Sequence, residues 1–270
     1  WIADFRDPWT NIDFYRDLQL TSWADKKHHR LELKVLNTAS KVVTVTWRSR
    51  DEFKALCGRD DIEVIPNGFD DADFPVDLRG PLDKDFTIVH IGSMNKDRNP
   101  EVFWKATHKA LAASADLKSK LKIRLVGPVD FSVRSSVEQY DLQVYTDFVE
   151  FIPHDEAVKL QQQAQINLLV INNSPNSRTI IPGKLYEYLG SGRPLLAIGP
   201  KDSDSAKVIE LTKGGVVHEY DDVEGLKNRI LEYFELYKAG NLNGNAEGTQ
   251  QFTRRHLARE YARVMDSLTK

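Results

Sequence analysis

Cysteine, excess positive charge and long apolar runs are all scarce in this sequence. One cysteine, Cys57, stands among 270 residues, which excludes a disulfide within the chain and favours a reducing compartment, the cytoplasm. The formal net charge is -3, so no overall basic field is present and we expect no nucleic-acid partner. No apolar run approaches the roughly 20 residues that a membrane-spanning helix needs.

Several chemical signatures are also lacking. No spacing of His, Cys, Asp and Glu is typical of a metal site, and no Gly-x-Ser-x-Gly nucleophile turn occurs. No Gly-x-Gly-x-x-Gly follows an apolar run, since the stretch "HIGSMNKD" has one glycine. A dinucleotide-dependent oxidoreductase is therefore disfavoured, and we expect neither a metal nor a bound cofactor.

Short apolar runs alternate with helical patterns along the whole chain. The runs are "WIADF", "KVVTVT", "IEVIP", "FTIVHIG", "LKIRLVG", "FVEFI", "INLLVI", "PLLAIG" and "GGVVHEY". Helices are predicted near residues 26–40, 49–57, 100–115, 133–143, 155–164, 183–190, 204–213 and 222–238. Such alternation predicts an α/β fold built from βαβ units with parallel sheets. Continuously apolar strands indicate sheets that are covered on both faces.

A polar segment divides these elements into two groups. Residues 67–85, "NGFDDADFPVDLRGPLDKD", are rich in Gly, Pro and Asp and lack an apolar period, which is typical of a linker. Three predicted strands precede it, and the six that follow suffice for one Rossmann-like domain. We place one domain at 1–75, a second at 76–245, and an amphipathic helix at 246–270. Because the chain begins at Trp1 in mid-pattern, we expect the first domain to be incomplete.

The loops that follow four of the strands are the expected ligand site. In open α/β sheets, ligands bind beyond the carboxyl ends of the strands, which selects the loops after "VHIG", "RLVG", "EFI" and "LLVI". The first loop contains Gly92, Ser93, Lys96 and Arg98. Its two cations would neutralise a diphosphate together with the N-terminus of the next helix. A solvated turn with two surface cations is the alternative interpretation.

The stretch "IIPGKLYEYLGSGRPLLAIG" places a short helix at the last of these loops. Gly183 lets a ligand approach the backbone, and the unpaired N–H groups of the first turn can hold an anion. Lys184 adds positive charge, and Glu187 lies one turn further, where its carboxylate can accept two hydrogen bonds from ribose hydroxyls. The alternative is an ordinary helix in which Lys184 and Glu187 form an i, i+3 ion pair worth about 0.2–0.5 kcal/mol.

The stretch "EFIPHDEAVKLQQQA" follows another strand. Pro153 and His154 lie where a nucleobase would stack and hydrogen-bond to the backbone of Ile152. The alternative is that His154 or Asp155 caps the next helix. Gly127, in "RLVGPVD", would line the same crevice from the neighbouring strand.

The order of these motifs resembles the retaining nucleotide-sugar glycosyltransferases of glycosyltransferase family 4. The segments "VIPNGFD" and "KLYEYLGSGRP" are its most specific parts, and the likeness extends from Trp1 to the last helix. It implies the GT-B fold, in which two Rossmann-like domains face each other across a cleft. It also implies a cytoplasmic hexosyltransferase of surface-polysaccharide assembly. Its partners would be a UDP- or GDP-sugar donor, a sugar or lipid-linked acceptor, and the inner face of the plasma membrane.

The resemblance also implies roles for residues of the last loop and its helix. Glu187 matches the second Glu of the family's Glu-x7-Glu motif, which binds the donor ribose. Lys184, with Arg98 or Lys96, would stabilise the leaving diphosphate without a metal. The amides around 181–185, from Ile181 to Leu185, would hold the donor phosphates.

Two departures from the family pattern concern the donor site. Thr179 stands where many members have the first Glu of the motif, and Ser93 stands where many have Arg. Arg6 and Asp7 are expected to approach the cleft from the first domain. A nucleotide-binding or interaction module without catalysis in this stretch, and a nucleotide-sugar epimerase of the same fold, remain open alternatives.

Overall fold

The computed structural model describes residues 1–12, 14–75, 80–245 and 247–268. The strands are β1 (Ile2–Phe5), β2 (Lys41–Thr44), β3 (Ile62–Val64), β4 (Phe86–Ile91), β5 (Leu121–Val126), β6 (Thr146–Val149), β7 (Ile166–Val170), β8 (Leu195–Ile198) and β9 (Gly215–His218). The α-helices are α1 (Ser22–Thr38), α2 (Trp47–Cys57), α3 (Glu101–Ala113), α4 (Ala115–Lys120), α5 (Phe131–Gln139), α6 (His154–Gln163), α7 (Gly183–Gly190), α8 (Asp204–Thr212), α9 (Val223–Lys238) and α10 (Arg254–Asp266). Every predicted strand and helix is confirmed. Helix α4 is not predicted from the sequence, because its six residues are too few to show a helical period.

The strands form two parallel sheets. The smaller sheet has the order β1-β2-β3, and the larger has the order β6-β5-β4-β7-β8-β9. In the larger sheet the chain builds outward from β4, first to β6 and then on the other side to β9. The strand order therefore reverses between β4 and β7, and this switch point is where an open α/β sheet forms its ligand crevice.

Both faces of the larger sheet are covered, which explains its continuously apolar strands. One face packs under α3 and α9, where Trp104 and Phe234 are fully buried. The other packs under α7 and α8, where Tyr186 and Val208 are fully buried. Because successive strand residues point to opposite faces, each strand needs apolar residues at nearly every position.

The final helix and the smaller sheet are in contact. Leu257 of α10 packs with Val43 of β2 and with Ile65, directly after β3, and the amide of Arg254 donates to the carbonyl of Phe69 at 2.9 Å. Residues 76–79 and Ala246, where the sequence analysis places the two domain boundaries, lie outside the described residues. The division into domains therefore stays a prediction.

Candidate functional site

A crevice opens where β4 and β7 separate. Their ladder pairs two residues of each strand and then ends. Beyond that point, the amide of Ile91 donates to the Tyr188 hydroxyl at 2.8 Å, and the carbonyl of Leu168 accepts from Nδ1 of His90 at 2.9 Å. Buried backbone groups must find hydrogen-bond partners, so these two side chains allow the strands to part without leaving such groups unsatisfied.

Two glycines form the backbone at the edge of this crevice. Gly92 and Gly127 follow β4 and β5 with φ angles of +105° and +112°, a region that favours glycine. A Cβ on Gly127 would meet the backbone of Gly92 at 3.1 Å, and one on Gly92 would meet Nζ of Lys184 at 2.8 Å. The positive φ favours glycine at both positions, and the close backbone of Gly92 leaves little space for a side chain at Gly127.

Lys184 lies in the first turn of α7, which begins after Pro182 without a side-chain cap. Its ammonium nitrogen is 3.4 Å from Nε2 of His90. Burial, followed by the charge of Arg98, lowers the pKa of Lys184 to about 8, while the charge of Glu187 acts in the opposite direction. A perturbed cation in a crevice is a candidate for binding an anion.

Arg98 supplies a second positive charge to the crevice. It ends a short 3-10 helix, Lys96–Arg98, and its Nε donates to Oδ1 of Asn172, just beyond β7, at 2.5 Å. Its Nη1 also lies 3.4 Å from the carbonyl oxygen of Ser93. Arg98 thus spans the switch point close to Lys184. Lys96 is exposed, and its charge interacts instead with the carboxylate of Asp130, which caps α5.

Glu187 lies where two cavities meet. The first, of about 370 Å³, is lined by Ile91, Gly92, Ser93, Val126, Gly127, Pro128, Phe151, Ile152, His154, Ala157, Gln161 and Glu187. The second, of about 470 Å³, extends from Glu187 to Arg6 and Tyr261. Nε2 of Gln161 donates to the Glu187 carboxylate at 3.4 Å. Lys184 and Glu187 are both described and no ion pair within 4 Å joins them, so the ion pair of the alternative interpretation is wrong.

Comparison with known proteins identifies relatives of one kind. No protein-family model matches the chain. The chain is 24% identical over 197 residues to WcaL of Escherichia coli K12, provisionally named a colanic acid biosynthesis glycosyltransferase, with 70% of this chain and 46% of WcaL covered. It is 25% identical over 138 residues to WcaL of Salmonella typhimurium, with 49% of this chain and 34% of that WcaL covered. The chain is thus related to glycosyltransferases and spans less than half of these relatives' length.

Solved structures match almost the whole chain. Sucrose-phosphate synthase of Thermosynechococcus elongatus superposes with a TM-score of 0.69 at 17% identity, covering 100% of this chain and 68% of the synthase. Anabaena HepE in complex with UDP-glucose gives a TM-score of 0.71 at 16% identity, covering 98% and 72%. The fold is that of GT-B glycosyltransferases. The predicted fold class is confirmed, and at these identities the likeness establishes the fold alone.

In this GT-B fold, the segment after β6 departs in part from the sequence analysis. Ile152 and His154 line the 370 Å³ cavity, whereas Pro153 does not. Neither His154 nor Asp155 caps α6, as one interpretation held, because Pro153 occupies the cap position without a side-chain hydrogen bond. Nε2 of His154 instead lies 3.3 Å from the carboxylate of Asp73, in the segment between the sheets.

The segment before α7 is divided between a cavity and the core. Thr179 and Ile181 line a third cavity, of about 300 Å³, together with Arg6 and Asp7. Gly183 is exposed and lines the 470 Å³ cavity. The position of Leu185 does not support the predicted role of its amide in holding the donor phosphates. Its side chain is fully buried in the core, and its amide donates to the carbonyl three residues earlier at 2.9 Å.

Three residues of the site, His90, Tyr188 and Asn172, are not predicted from the sequence. A signal for His90 existed, because a histidine inside the apolar run of β4 must satisfy its ring nitrogens when both sheet faces are covered. Tyr188 and Asn172 gave no such signal, since a tyrosine in a helix and an asparagine in a loop are ordinary. Their roles follow from contacts with Ile91 and Arg98, which are distant in sequence.

The described part of the chain holds neither a membrane span nor a metal-binding cluster. None of its helices is both long and apolar enough to cross a bilayer. Among the same residues, no group of three or more His, Cys, Asp or Glu side chains is arranged to hold a metal ion.

Proposed function

We propose that the chain is the donor-binding part of a retaining hexosyltransferase that uses a UDP- or GDP-sugar. The observation that supports this most strongly is the pair of cations at the switch point: Nζ of Lys184 lies beside Gly92, and the charge of Arg98 is near enough to lower the pKa of Lys184 after burial has done so. Neither forms an ion pair with a carboxylate within the described ranges. A diphosphate bound there would offset the desolvation, and next the repulsion by Arg98, that lower the pKa of Lys184.

The rest of the donor fits the 370 Å³ cavity, which is lined by Gly92 and Glu187, next to Lys184. Glu187 lies one turn from Lys184, so its carboxylate would accept hydrogen bonds from the ribose hydroxyls while the diphosphate contacts the ammonium. The 370 Å³ cavity extends from there to Ile152, where the base would meet the backbone. This volume is within the range of small-molecule sites. The crystal structure of HepE with UDP-glucose supports this class of donor.

The proposed reaction breaks the bond between the anomeric carbon and the diphosphate oxygen. An acceptor hydroxyl oxygen then bonds to that carbon on the same face, and its proton leaves with the diphosphate or solvent. Negative charge grows on the departing diphosphate, where Lys184 and Arg98 would stabilise it. The acceptor, a sugar or lipid-linked polysaccharide precursor, would enter through the cavity at Arg6 and Tyr261. The names of the WcaL relatives support this acceptor class.

We also propose which cofactors and which cell compartment the reaction uses. No cofactor besides the donor takes part in it, and the protein would act in the cytoplasm. A lipid-linked acceptor would bring it into peripheral contact with the inner face of the plasma membrane.

A thermal-shift series with UDP, GDP, ADP, CMP, TDP and NAD tests the donor site. A ligand at 100 times its Kd adds about 2.7 kcal/mol of stability, a shift of several degrees for a domain of this size. We expect UDP or GDP to raise the melting temperature, Glu187→Ala to abolish the shift, and Glu210→Ala, an exposed glutamate of α8, to preserve it. A shift with NAD alone, or with none of the six, would refute the proposal.

Product analysis separates transfer from epimerisation. The protein is incubated with candidate acceptors and with a nucleotide sugar that carries the base identified by the thermal shift and a label in its sugar. Transfer then releases the nucleoside diphosphate and gives a labelled, elongated acceptor. Epimerisation would instead leave the label on the nucleotide. Recovery of an isomeric nucleotide sugar as the sole product would contradict the proposed reaction.

A further inference from the structure

His90 is a buried histidine whose two ring nitrogens face different partners. Nδ1 lies 2.9 Å from the carbonyl oxygen of Leu168, and Nε2 lies 3.4 Å from Nζ of Lys184. A carbonyl oxygen only accepts hydrogen bonds, so Nδ1 must hold the proton. Nε2 therefore presents its lone pair to the ammonium group.

The imidazole of His90 is neutral over the physiological pH range. Burial, and next the charge of Lys184, lowers the pKa of His90 to about 3, with a smaller contribution from Arg98, while the backbone of Leu168 and of Ser93 acts in the opposite direction. The charged groups that act on Lys184 are Arg98, from the 3-10 helix after β4, and Glu187, from its own helix. Lys184 thus has a neutral acceptor on β4 and a like charge beside it.

A neutral acceptor has a consequence that other side chains would not have. A carboxylate at this position would pair with Lys184 and compete with a phosphate for the same ammonium. An apolar side chain would leave the ammonium partly desolvated and without a preferred direction. The imidazole of His90 orients the ammonium and leaves its full charge available to an anion.

We propose that His90 is a positioning residue, which accepts a hydrogen bond from Lys184 and holds its ammonium toward the position of the donor diphosphate. This inference rests on the proposed nucleotide-sugar site. His90 acts through Lys184, and its link to Leu168 on β7 ties the direction of the ammonium to the strand separation that opens the crevice.

Two amide substitutions separate this role from a purely structural one. The amide of asparagine reaches the position of Nδ1, so His90→Asn keeps a donor for Leu168 and removes the acceptor for Lys184. The amide of glutamine reaches the position of Nε2, so His90→Gln keeps an acceptor for Lys184. Thr87→Val, at another buried position of β4, serves as a control for general damage to the strand.

The readouts are calorimetric affinities for UDP and GDP and the pKa of Lys184, followed by the chemical shift of its Cε carbon in the ligand-free protein. We expect His90→Asn to weaken binding about tenfold, the equivalent of one lost hydrogen bond to a charged group. It should also lower the pKa of Lys184, because the charged form loses its acceptor. His90→Gln and Thr87→Val should remain within about threefold of the parent. In a Lys184→Ala background, His90→Asn should have no further effect on binding.

Several results would overturn the inference, and they are distinguishable from one another. A larger loss in His90→Gln than in His90→Asn would show that His90 serves to satisfy Leu168, and equal losses would show that the ring matters for its packing and not for its acceptor; in both cases the donor site would stand. A parent protein that binds neither UDP nor GDP would refute the proposed function and the inference with it. Persistence of the His90→Asn effect without Lys184 would also overturn the inference, because the effect would then not pass through the ammonium.

Discussion

Two cations of the same sequence motif, Lys184 and Arg193, have opposite surroundings. Arg193 is buried, and its guanidinium donates to the backbone carbonyls of Ala164, Gln165 and Leu242 at 2.9 to 3.3 Å. Lys184 is partly buried, and the ammonium has one hydrogen bond in the described structure, at 3.4 Å, to the neutral ring of His90. One cation is saturated by the protein, and the other is not.

The difference indicates which cation is available to a ligand. Carbonyls around Arg193 offset its desolvation, so this side chain stabilises the chain between α7 and β8 and joins it to the segment after α9. Lys184 lacks such compensation, which is why burial and Arg98 lower its pKa. An anion would provide the missing interaction. Arg193 is therefore expected to matter for stability, and Lys184 for binding.

The largest expected effect is on stability. Arg193→Leu leaves three buried carbonyls without their donor, and we expect the free energy of unfolding to fall by about 3–4 kcal/mol. Urea denaturation measures this loss. The control Arg263→Leu, at an exposed position of α10, should change stability by less than about 0.5 kcal/mol. A loss below about 1 kcal/mol for Arg193→Leu would remove the contrast between the two cations.

The next effect is on binding. Lys184→Ala should weaken the binding of a nucleoside diphosphate about 100-fold, since a charge-assisted contact to phosphate is lost. Its stability should remain within about 1 kcal/mol of the parent. Calorimetry and urea denaturation on the same sample test both statements, and Lys120→Ala, at an exposed position of α4, is the matched control. Unchanged affinity would exclude Lys184 from the donor site.

A smaller effect concerns the space that Lys184 occupies. Gly92→Ala would place a methyl group 2.8 Å from Nζ of Lys184, at a φ of +105°. We expect about a tenfold loss of nucleotide affinity together with backbone strain of about 1–2 kcal/mol. Gly240→Ala has a positive φ and open space around it, so it should show strain without the loss of affinity. Equal affinity losses in both variants would argue against contact between Gly92 and the ammonium.

The pH dependence of binding follows from the pKa of Lys184, which is about 8. The protonated form binds the anion, so affinity should be highest below this pKa and fall as pH rises through it. Between pH 7 and pH 9 the protonated fraction drops about tenfold, and affinity should follow. Lys184→Arg keeps its charge throughout this range, so its affinity should change little between pH 7 and pH 9. A flat profile for the parent would contradict the assignment.

The smallest effect is expected for a third cation, Arg6. It is nearly half exposed and already contacts Asp4, Asn67 and Tyr261 at 2.8 to 3.0 Å. Such exposed contacts contribute little, so Arg6→Ala should lower the free energy of unfolding by less than about 1 kcal/mol. Donor affinity should stay unchanged, because Arg6 lines the neighbouring cavities. A loss comparable to that of Arg193→Leu would show that exposure does not separate the three cations.

The contrast between the cations also shows where prediction from the sequence stopped. The segment "KLYEYLGSGRP" contains both Lys184 and Arg193, and the letters alone do not show that one is saturated by carbonyls. Likewise Lys96 and Arg98 are two residues apart and equivalent in sequence, but a 3-10 turn directs one to solvent and the other to Asn172. The local sequence predicts which residues lie in the loop, but it does not predict where their side chains point.

The sequence by itself determined the elements and the place of the crevice. Strands covered on both faces must be apolar at nearly every position, and glycines such as Gly92 must follow strands where the backbone turns with positive φ. Only the tertiary structure decided the environment of Lys184. His90 and Leu168 are 78 residues apart, and they meet because the strand order reverses between β4 and β7. Hydrogen bonding and desolvation depend on distances in space, so the charge that remains available to a ligand emerges only when the strands are assembled.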